Sequence, residues 1–266
     1  MVTLTYQERF KTVKGVFDAF TKRNLFELQT RGYFEELVSP IKVGKESNIF
    51  IARAKGEDSK GKETIKYVIV KIYRVQNADF SGMFKYIGQD PRYENLKKRR
   101  REIIFAWVQR EFKNLFIANK AGVRVPHVHT VKNNVVVMDL IGDEKEGVVA
   151  MPLKDLVPQD PEAFLDEILL QVRKLWHKAG LAHGDLSSFN ILNLREGKKD
   201  TPVLIDFSQA TVTKAGLARD LLARDMKNVF KQPSRGNSGY AVRGVQYADA
   251  YRGKKMIKSK EDFQEM

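Results

Sequence analysis

Three polar side chains, and the spacing between them, limit what this chain can be more than anything else in it. Asp185 lies in His183-Gly184-Asp185-Leu186-Ser187-Ser188-Phe189-Asn190, five residues before Asn190. Asp206 follows twenty-one residues after Asp185, at the end of the apolar run Val203-Leu204-Ile205. Residues 191–194 and 203–205 read as short strands joined by a Lys-rich turn. Phosphoryl transfer asks little covalent chemistry of a protein. It needs a carboxylate to orient the attacking hydroxyl or water, and oxygen ligands to hold Mg²⁺ on the phosphates. Asp185 suits the first task, as catalytic base. Asn190 and Asp206 suit the second, because Mg²⁺ takes oxygen ligands and only a few of them from protein. A lone His-x-Asp would read as a polar loop between strands. The Asn and the second Asp at these offsets carry the functional reading.

The first half of the chain supplies a matching cation. Tyr67-Val68-Ile69-Val70-Lys71-Ile72-Tyr73 is a strand of β-branched and aromatic residues, with Ile69 and Tyr73 on the face of Lys71. An ammonium enclosed in this way needs an anion, either a nucleotide phosphate or a Glu on a neighbouring helix. Residues 97–119 read as that helix. Ile104, Trp107, Val108 and Leu115 share a stripe with Glu111, which makes Glu111 the expected partner of Lys71. Upstream, Val43-Gly44-Lys45-Glu46-Ser47-Asn48-Ile49-Phe50 is a turn feeding a strand. It is not a Walker loop, because Glu46 follows Lys45 and the upstream Gly is missing. Its backbone, with Lys45 and the Ser47 hydroxyl, could still cover phosphates. A hairpin turning at Asn133-Asn134 ends in Met138-Asp139-Leu140-Ile141-Gly142, read as the nucleotide hinge. The Asp139 carbonyl and the Ile141 amide are expected to meet a purine there, beside Met138. His127 and His129 alternate on one strand, but no Cys or carboxylate stands at ligand spacing to make them a metal pair.

The remaining periodicities fill in the frame. Residues 4–38 read as helical, with Gly32 as a cap and Pro40 as the latest possible end. Residues 75–94, rich in Asp, Gly and aromatics, read as a flexible insertion, followed by the basic run Lys97-Lys98-Arg99-Arg100-Arg101. Such a run is usually a solvated helix face, although it also suits phosphate contacts. Asp160-Pro161 starts a helix that Gly180 closes, and residues 215–230 form a last helix. After Pro233 the chain becomes a basic, Gly- and Tyr-rich tail. The formal net charge of +14 points to a polyanionic partner such as nucleic acid. The absence of Cys removes disulfides and thiolate metal sites, and no apolar run is long enough to span a membrane. A reducing, cytoplasmic setting is the expectation.

Taken together these motifs resemble the RIO family of atypical protein kinases, type one, over about residues 15–230. The resemblance rests on Gly44-Lys45-Glu46-Ser47-Asn48-Ile49-Phe50 in place of a Gly-rich loop, on Val70-Lys71-Ile72-Tyr73, on the 183–190 loop and on Ile205-Asp206-Phe207-Ser208-Gln209. His-Gly-Asp stands where kinases usually carry His-Arg-Asp, and Asp-Phe-Ser where they carry Asp-Phe-Gly. The resemblance implies an α+β, two-lobed protein-kinase-like fold with a reduced C-terminal lobe and an extra N-terminal helical segment. The expected division is a helical segment at 1–40, an N-lobe at 41–141 with a flexible loop inserted at 75–101, a C-lobe at 142–232, and a tail at 233–266. Sixty residues follow Asp206, and a conventional peptide-binding platform is therefore not expected. The implied activity is ATP-dependent serine/threonine phosphorylation and ATP hydrolysis with Mg²⁺ or Mn²⁺. The implied setting is maturation of the small ribosomal subunit and its rRNA, and Asp206 is also a possible phosphoacceptor. Three alternatives remain open. One is a nucleotide-gated scaffold that binds RNA or the pre-ribosome; another is a small-molecule phosphotransferase. The third is a small kinase associated with tRNA modification.

Overall fold

The computed structural model describes residues 17–57, 60–75, 80–97 and 99–230. The first part of the expected N-terminal helix and the tail after Pro233 lie outside these residues.

Helix α1 (Ala19–Thr30) begins where the Asp18 carboxylate accepts the Thr21 amide at 2.7 Å. It ends at Arg31, and Gly32 follows with φ +79°. The cap expected at Gly32 is therefore there, but the helix does not run on to residue 38. Residues 36–43 are instead strand β1 (Glu36–Val43). Val38, Ile41 and Val43 are β-branched, and Pro40 is tolerated because β1 lies at the sheet edge and its register shifts on both sides of Ser39-Pro40.

Strands β2 (Ser47–Glu57), β3 (Glu63–Tyr73), β4 (Val128–Lys132) and β5 (Val135–Asp139) complete an antiparallel sheet in the order β1-β2-β3-β5-β4. Alternation along β3 sorts its side chains into two cores. Val68, Val70 and Ile72 pack with Phe50, Val135, Val137 and with Leu25, Leu28 and Phe34 beneath α1. Ile69 and Tyr73 face the other way, toward Ile104, Trp107 and Val108. The β4–β5 turn, with Asn133 at φ +50°, is tied to α1: Asn24 donates to Asn134 at 2.9 Å and Asn134 donates to Thr21 at 2.9 Å.

The insertion between β3 and the long helix is more ordered than its composition suggests. It contains helix α2 (Phe80–Ile87) and a 3-10 turn (Pro91–Tyr93). Met83 and Ile87 are buried in the main core, so the flexible loop expected over 75–101 is corrected to a docked helical segment across its described residues. Phe80, Met83, Phe84 and Ile87 have helical spacing, and that apolar face outweighs the break that Gly82 would favour. Ser81 sits exposed in the first turn of α2.

Helix α3 (Arg100–Lys120) carries the core across to a second, mainly helical lobe. Short pairs β6 (Gly142–Asp143) with β7 (Val148–Val149), and β8 (Met151–Pro152), follow the sheet. Helix α4 (Pro161–His177) starts with Asp160 accepting the Ala163 amide at 3.0 Å, as its sequence requires. Then come β9 (Leu181–Ala182), the hairpin β10 (Ile191–Glu196) and β11 (Lys199–Leu204), β12 (Thr211–Val212), and α5 (Ala218–Phe230). One continuous core runs from Ile69 and Trp107 through Phe164, Leu186 and Ile191 to Phe207. If α2 is part of that core, Ile87→Ala should cost about 2–4 kcal/mol in urea denaturation. A flexible insertion would instead show almost no change.

Candidate active site

Strand β3 delivers Lys71 to the face of the sheet that meets α3. Its ammonium is buried, 2.7 Å from Glu111 Oε1 and 3.1 Å from Asp206 Oδ1. The pairing expected between Lys71 and Glu111 is present, and a second carboxylate from the other lobe joins it. Tyr73, two residues along the same strand face, donates its hydroxyl to Glu111 Oε2 at 2.6 Å. Burial alone would lower the ammonium's pKa, but Asp206 and Glu111 outweigh it and hold Lys71 well above its ordinary value. Burial raises Glu111, with Lys71 pulling it back. The arrangement is a cation clamped between two anions, each held by a further hydroxyl, since Ser208 Oγ donates to Asp206 Oδ1 at 2.8 Å.

The hairpin of β10 and β11 explains how Asp185, Asn190 and Asp206 converge. Ile191 pairs with Leu204, so the residues just outside the pair, Asn190 and Ile205, are brought together, and the Ile205 amide donates to the Asn190 carbonyl at 3.0 Å. Asn190 Nδ2 donates to the Asp185 carbonyl at 2.8 Å and to Asp185 Oδ2 at 3.3 Å. Its carbonyl oxygen is thus left as an acceptor. Asp206 adopts φ 62°, ψ 71°, a left-handed conformation uncommon for a residue with a side chain. More than a third of its side chain faces the cleft. Burial raises its carboxyl, but Lys71 and the Ser208 hydroxyl more than compensate and bring it to about 2, so it is an anion at neutral pH. Asp185 is pushed up, first by burial and then by the charge of Asp206, with a smaller push from Glu46 in the β1–β2 loop.

His183 sets the loop from within. The Asp185 amide donates to its Nδ1 at 3.3 Å, so Nε2 carries the proton and donates to the Ile205 carbonyl at 3.0 Å. Burial lowers its pKa to about 4, and its ring packs on Phe207 at a centroid distance of 4.6 Å. Gly184 accounts for the His-Gly-Asp spelling. It has φ +80°, and a Cβ there would stand 2.9 Å from the Gln209 carbonyl oxygen.

Two anchors were not singled out by spacing. Asp225 on α5 accepts the Gly184 amide at 2.7 Å and the Leu186 amide at 2.9 Å, while Arg224 donates to the Gly184 carbonyl. An acid on the inward stripe of an apolar helix was the available signal. The sequence places Tyr73 on the face of Lys71 without giving its hydroxyl a partner.

The remaining expected residues take these places. Ser47 and Lys45 lie in the β1–β2 hairpin, Lys45 exposed and Ser47 half-buried, with Ser47 opposite Tyr73 in the register. The Ser47 carbonyl accepts the Gly44 amide at 3.0 Å. Met138 is buried on β5 opposite Ile69. The Asp139 amide donates to the His127 carbonyl and its carboxylate contacts His129 Nε2 at 2.8 Å. The Ile141 carbonyl accepts the Ala150 amide at 2.8 Å. His127 and His129 stack edge-on at 5.4 Å. Among the described residues, no three His or acidic side chains form a ready metal cluster. The free oxygens of Asn190 and Asp206 suit a cation that keeps water and phosphate ligands, as Mg²⁺ does.

This is the geometry that the comparisons meet. The RIO domain family matches residues 48–241. The chain is 41% identical over 224 residues to the RIO-type serine/threonine-protein kinase Rio1 of Methanocaldococcus jannaschii, covering 84% of this chain and 72% of that protein. It is 37% identical to the protein of the same name from Haloferax volcanii, covering 84% and 71%. The chain belongs to the RIO family of serine/threonine-protein kinases. Its fold is similar to the crystal structure of the Rio2 kinase–ADP/Mg²⁺–phosphoaspartate complex from Chaetomium thermophilum. The TM-score is 0.54 at 22% identity, over 91% of this chain and 73% of that one. The two-lobed kinase-like architecture that the resemblance implies is therefore the fold.

For this RIO kinase, Asp225 gives a pH dependence. Burial raises its carboxyl from 3.8 to about 6, against the pull of two amides. The folded state therefore binds an extra proton between about pH 4 and 6, and stability owed to this group falls as pH rises through that window. The loop, by contrast, gains its second acceptor only when Asp225 ionises. Turnover should rise across about pH 6. Asp225→Asn, which sets an NH₂ against one of the two amides, should lower kcat at pH 7 by about tenfold and flatten that limb, with little change in nucleotide affinity.

Proposed function

We propose that this protein is an ATP-dependent RIO-type kinase and ATPase in which Asp185 is the catalytic base and Asp206 both binds the metal and can accept phosphate. We further propose that it acts in the cytoplasm on the maturing small ribosomal subunit and its rRNA. The observation that carries the catalytic reading is Lys71, joined at once to Glu111 and Asp206. A lysine held in this way would suit the phosphates of a nucleotide whose purine lay against Met138 and the backbone of Asp139 and Ile141. Lys45 and Ser47 would close over the phosphates from the β1–β2 loop. Asn190 and Asp206 would hold Mg²⁺ or Mn²⁺, which supplies charge neutralisation on the β- and γ-phosphates.

Asp185 orients the attacking group. With its pKa raised, it is suited to hold a proton from a hydroxyl or water. When Asp206 is the acceptor, one of its oxygens forms the new bond to the γ-phosphorus as the bond to ADP breaks. Water later cleaves that acyl phosphate, returning the carboxylate and inorganic phosphate. The phosphoaspartate in the Chaetomium thermophilum Rio2 complex lends this route support.

Lys71→Ala should reduce ATP affinity or turnover by well over tenfold. Asp206→Asn should abolish turnover while adenosine still binds. With γ-labelled ATP, part of the protein-bound label should be released by hydroxylamine, and Asp185→Ala should remove all of it. Label that resists hydroxylamine and persists in a folded Asp206→Asn protein would leave conventional serine phosphorylation as the activity.

The net charge of +14 favours the same protein engaging RNA, with nucleotide as the gate. Lys97 and Arg99 are exposed at the start of α3. If they meet phosphates, affinity for ribosomal RNA should fall steeply with salt. Changing both to Ala should reduce the slope of log K against log salt by about one to two. An unaltered slope would return them to the solvated surface.

A further inference from the structure

The inserted segment does not stop at the surface of α3. Asp90 is fully buried, and Arg92 grips it: Nε lies 2.9 and 3.2 Å from the two carboxylate oxygens, Nη2 lies 2.6 Å from Oδ2, and the Arg92 amide donates to Oδ1 at 3.1 Å. Two routes lead onward through α3. Arg92 Nη1 donates to Asn114 Oδ1 at 2.9 Å, and Asn114 Nδ2 donates to the Phe207 and Ala210 carbonyls at 3.1 and 2.7 Å. Arg110 lies 3.4 Å from Asp90 Oδ2 and donates to the Ala210 carbonyl at 3.0 Å and the Gln209 carbonyl at 3.4 Å. Both routes end on the backbone of the turn immediately after Asp206.

That turn needs holding. Asp206 keeps a left-handed backbone, and a residue with a Cβ stays there only where its surroundings over-determine it. Arg110 and Asn114 supply donors to three of the next four carbonyls. Their own orientation is fixed from the far side by Asp90 and Arg92. A tether meant only to anchor the segment could end on α3; this one spends its donors beyond it.

We propose that Asp90 and Arg92 are positioning residues for the metal loop, so that docking of segment 80–97 on α3 sets how well the site holds its divalent cation. The proposal rests on the reading of Asp206 as a metal ligand. It predicts that the insertion tunes the metal-dependent part of nucleotide binding and leaves the adenine-dependent part alone. A merely structural segment would weaken both together.

The test uses the full chain with Arg92→Ala and Arg92→Lys. ADP binding is titrated calorimetrically against Mg²⁺, and amide exchange is followed at residues 207–211 in the nucleotide-free protein. Arg92→Ala should raise the Mg²⁺ needed for half-maximal ADP binding by about tenfold, the usual effect of losing a group that orients a ligand. Adenosine binding without metal should be unchanged, and exchange at 207–211 should quicken. Arg92→Lys keeps a charge on Asp90 but gives up the fork that also reaches Asn114. It should keep most of the melting temperature and still show the Mg²⁺ shift. Equal losses with and without Mg²⁺, or unaltered exchange at 207–211 in a folded Arg92→Ala protein, would overturn the proposal. Asp206→Asn is the separate control. If Mg²⁺ still strengthens ADP binding there as in the unchanged protein, the metal-ligand reading falls, while the exchange data decide the positioning role by themselves.

Discussion

The two lobes are joined at a buried charge. Taking an ammonium out of water is costly unless anions and hydrogen bonds replace the water. Lys71 recovers that cost from two carboxylates on different elements, Glu111 on α3 and Asp206 after β11. Withdrawing either partner leaves the enclosed cation with one anion in place of two. The interaction therefore fixes the distance between sheet, helix and the Asp206 turn more firmly than apolar contacts, which tolerate sliding. It also explains why Tyr73 and Ser208 appear where they do. Each gives a hydroxyl to one of the two carboxylates, so that the carboxylate oxygens do not depend on Lys71 alone.

The 183–190 loop solves a different problem, because it turns sharply at Gly184 while leaving the Asp185 side chain partly exposed. Gly184 takes the left-handed step at the closest approach to Gln209, where a side chain would collide with backbone. The amides on either side of Asp185 then need acceptors, and a single carboxylate, Asp225, serves both. Keeping that carboxylate ionised in a buried position opposes stability. It is retained because a neutral group of the same shape cannot accept twice along those directions. His183 works inside the same turn as a neutral ring that donates at one nitrogen and accepts at the other. Its low pKa keeps both roles intact through the neutral range.

Much of this was legible in the sequence wherever one periodicity dominated. The alternation around Lys71 and the stripe through Glu111 each fix a direction in space, and together they fix a pair. The Asn133-Asn134 turn, the Asp160 cap and the 191–205 hairpin were equally local. Two elements were not. At residues 36–38 a helical reading of the preceding stretch ran into β1, because Phe34 continues its apolar count although it lies in the connection between α1 and β1, buried beneath the helix. At residues 80–87 the Gly and the acidic flanks suggested a loop, and only tertiary burial of Met83 and Ile87 makes the helix worthwhile. Asp225, Arg110 and Asn114 escaped for a shared reason. Each acts on a backbone group brought near by the fold, and no spacing in the chain reports such a partner.

The same limit applies to the basic run at the start of α3, which composition presents as one feature. In the structure its members divide. Arg99 pairs with Glu102 at 3.2 Å, Arg100 lies over the Phe80 ring at 5.5 Å, and Arg101 lies over Phe20 at 5.6 Å. Through those rings α3 is fastened to α2 on one side and α1 on the other. A guanidinium stacked on an aromatic face keeps its charge and its in-plane donors, so packing and phosphate attraction are compatible in one residue. It follows that removing Arg100 would disturb the seating of α2, and removing Arg101 that of α1, as well as the surface charge. An effect on RNA affinity could then arise from either. Lys97 and Arg99 report on charge more cleanly, because neither is held against a ring among the described contacts.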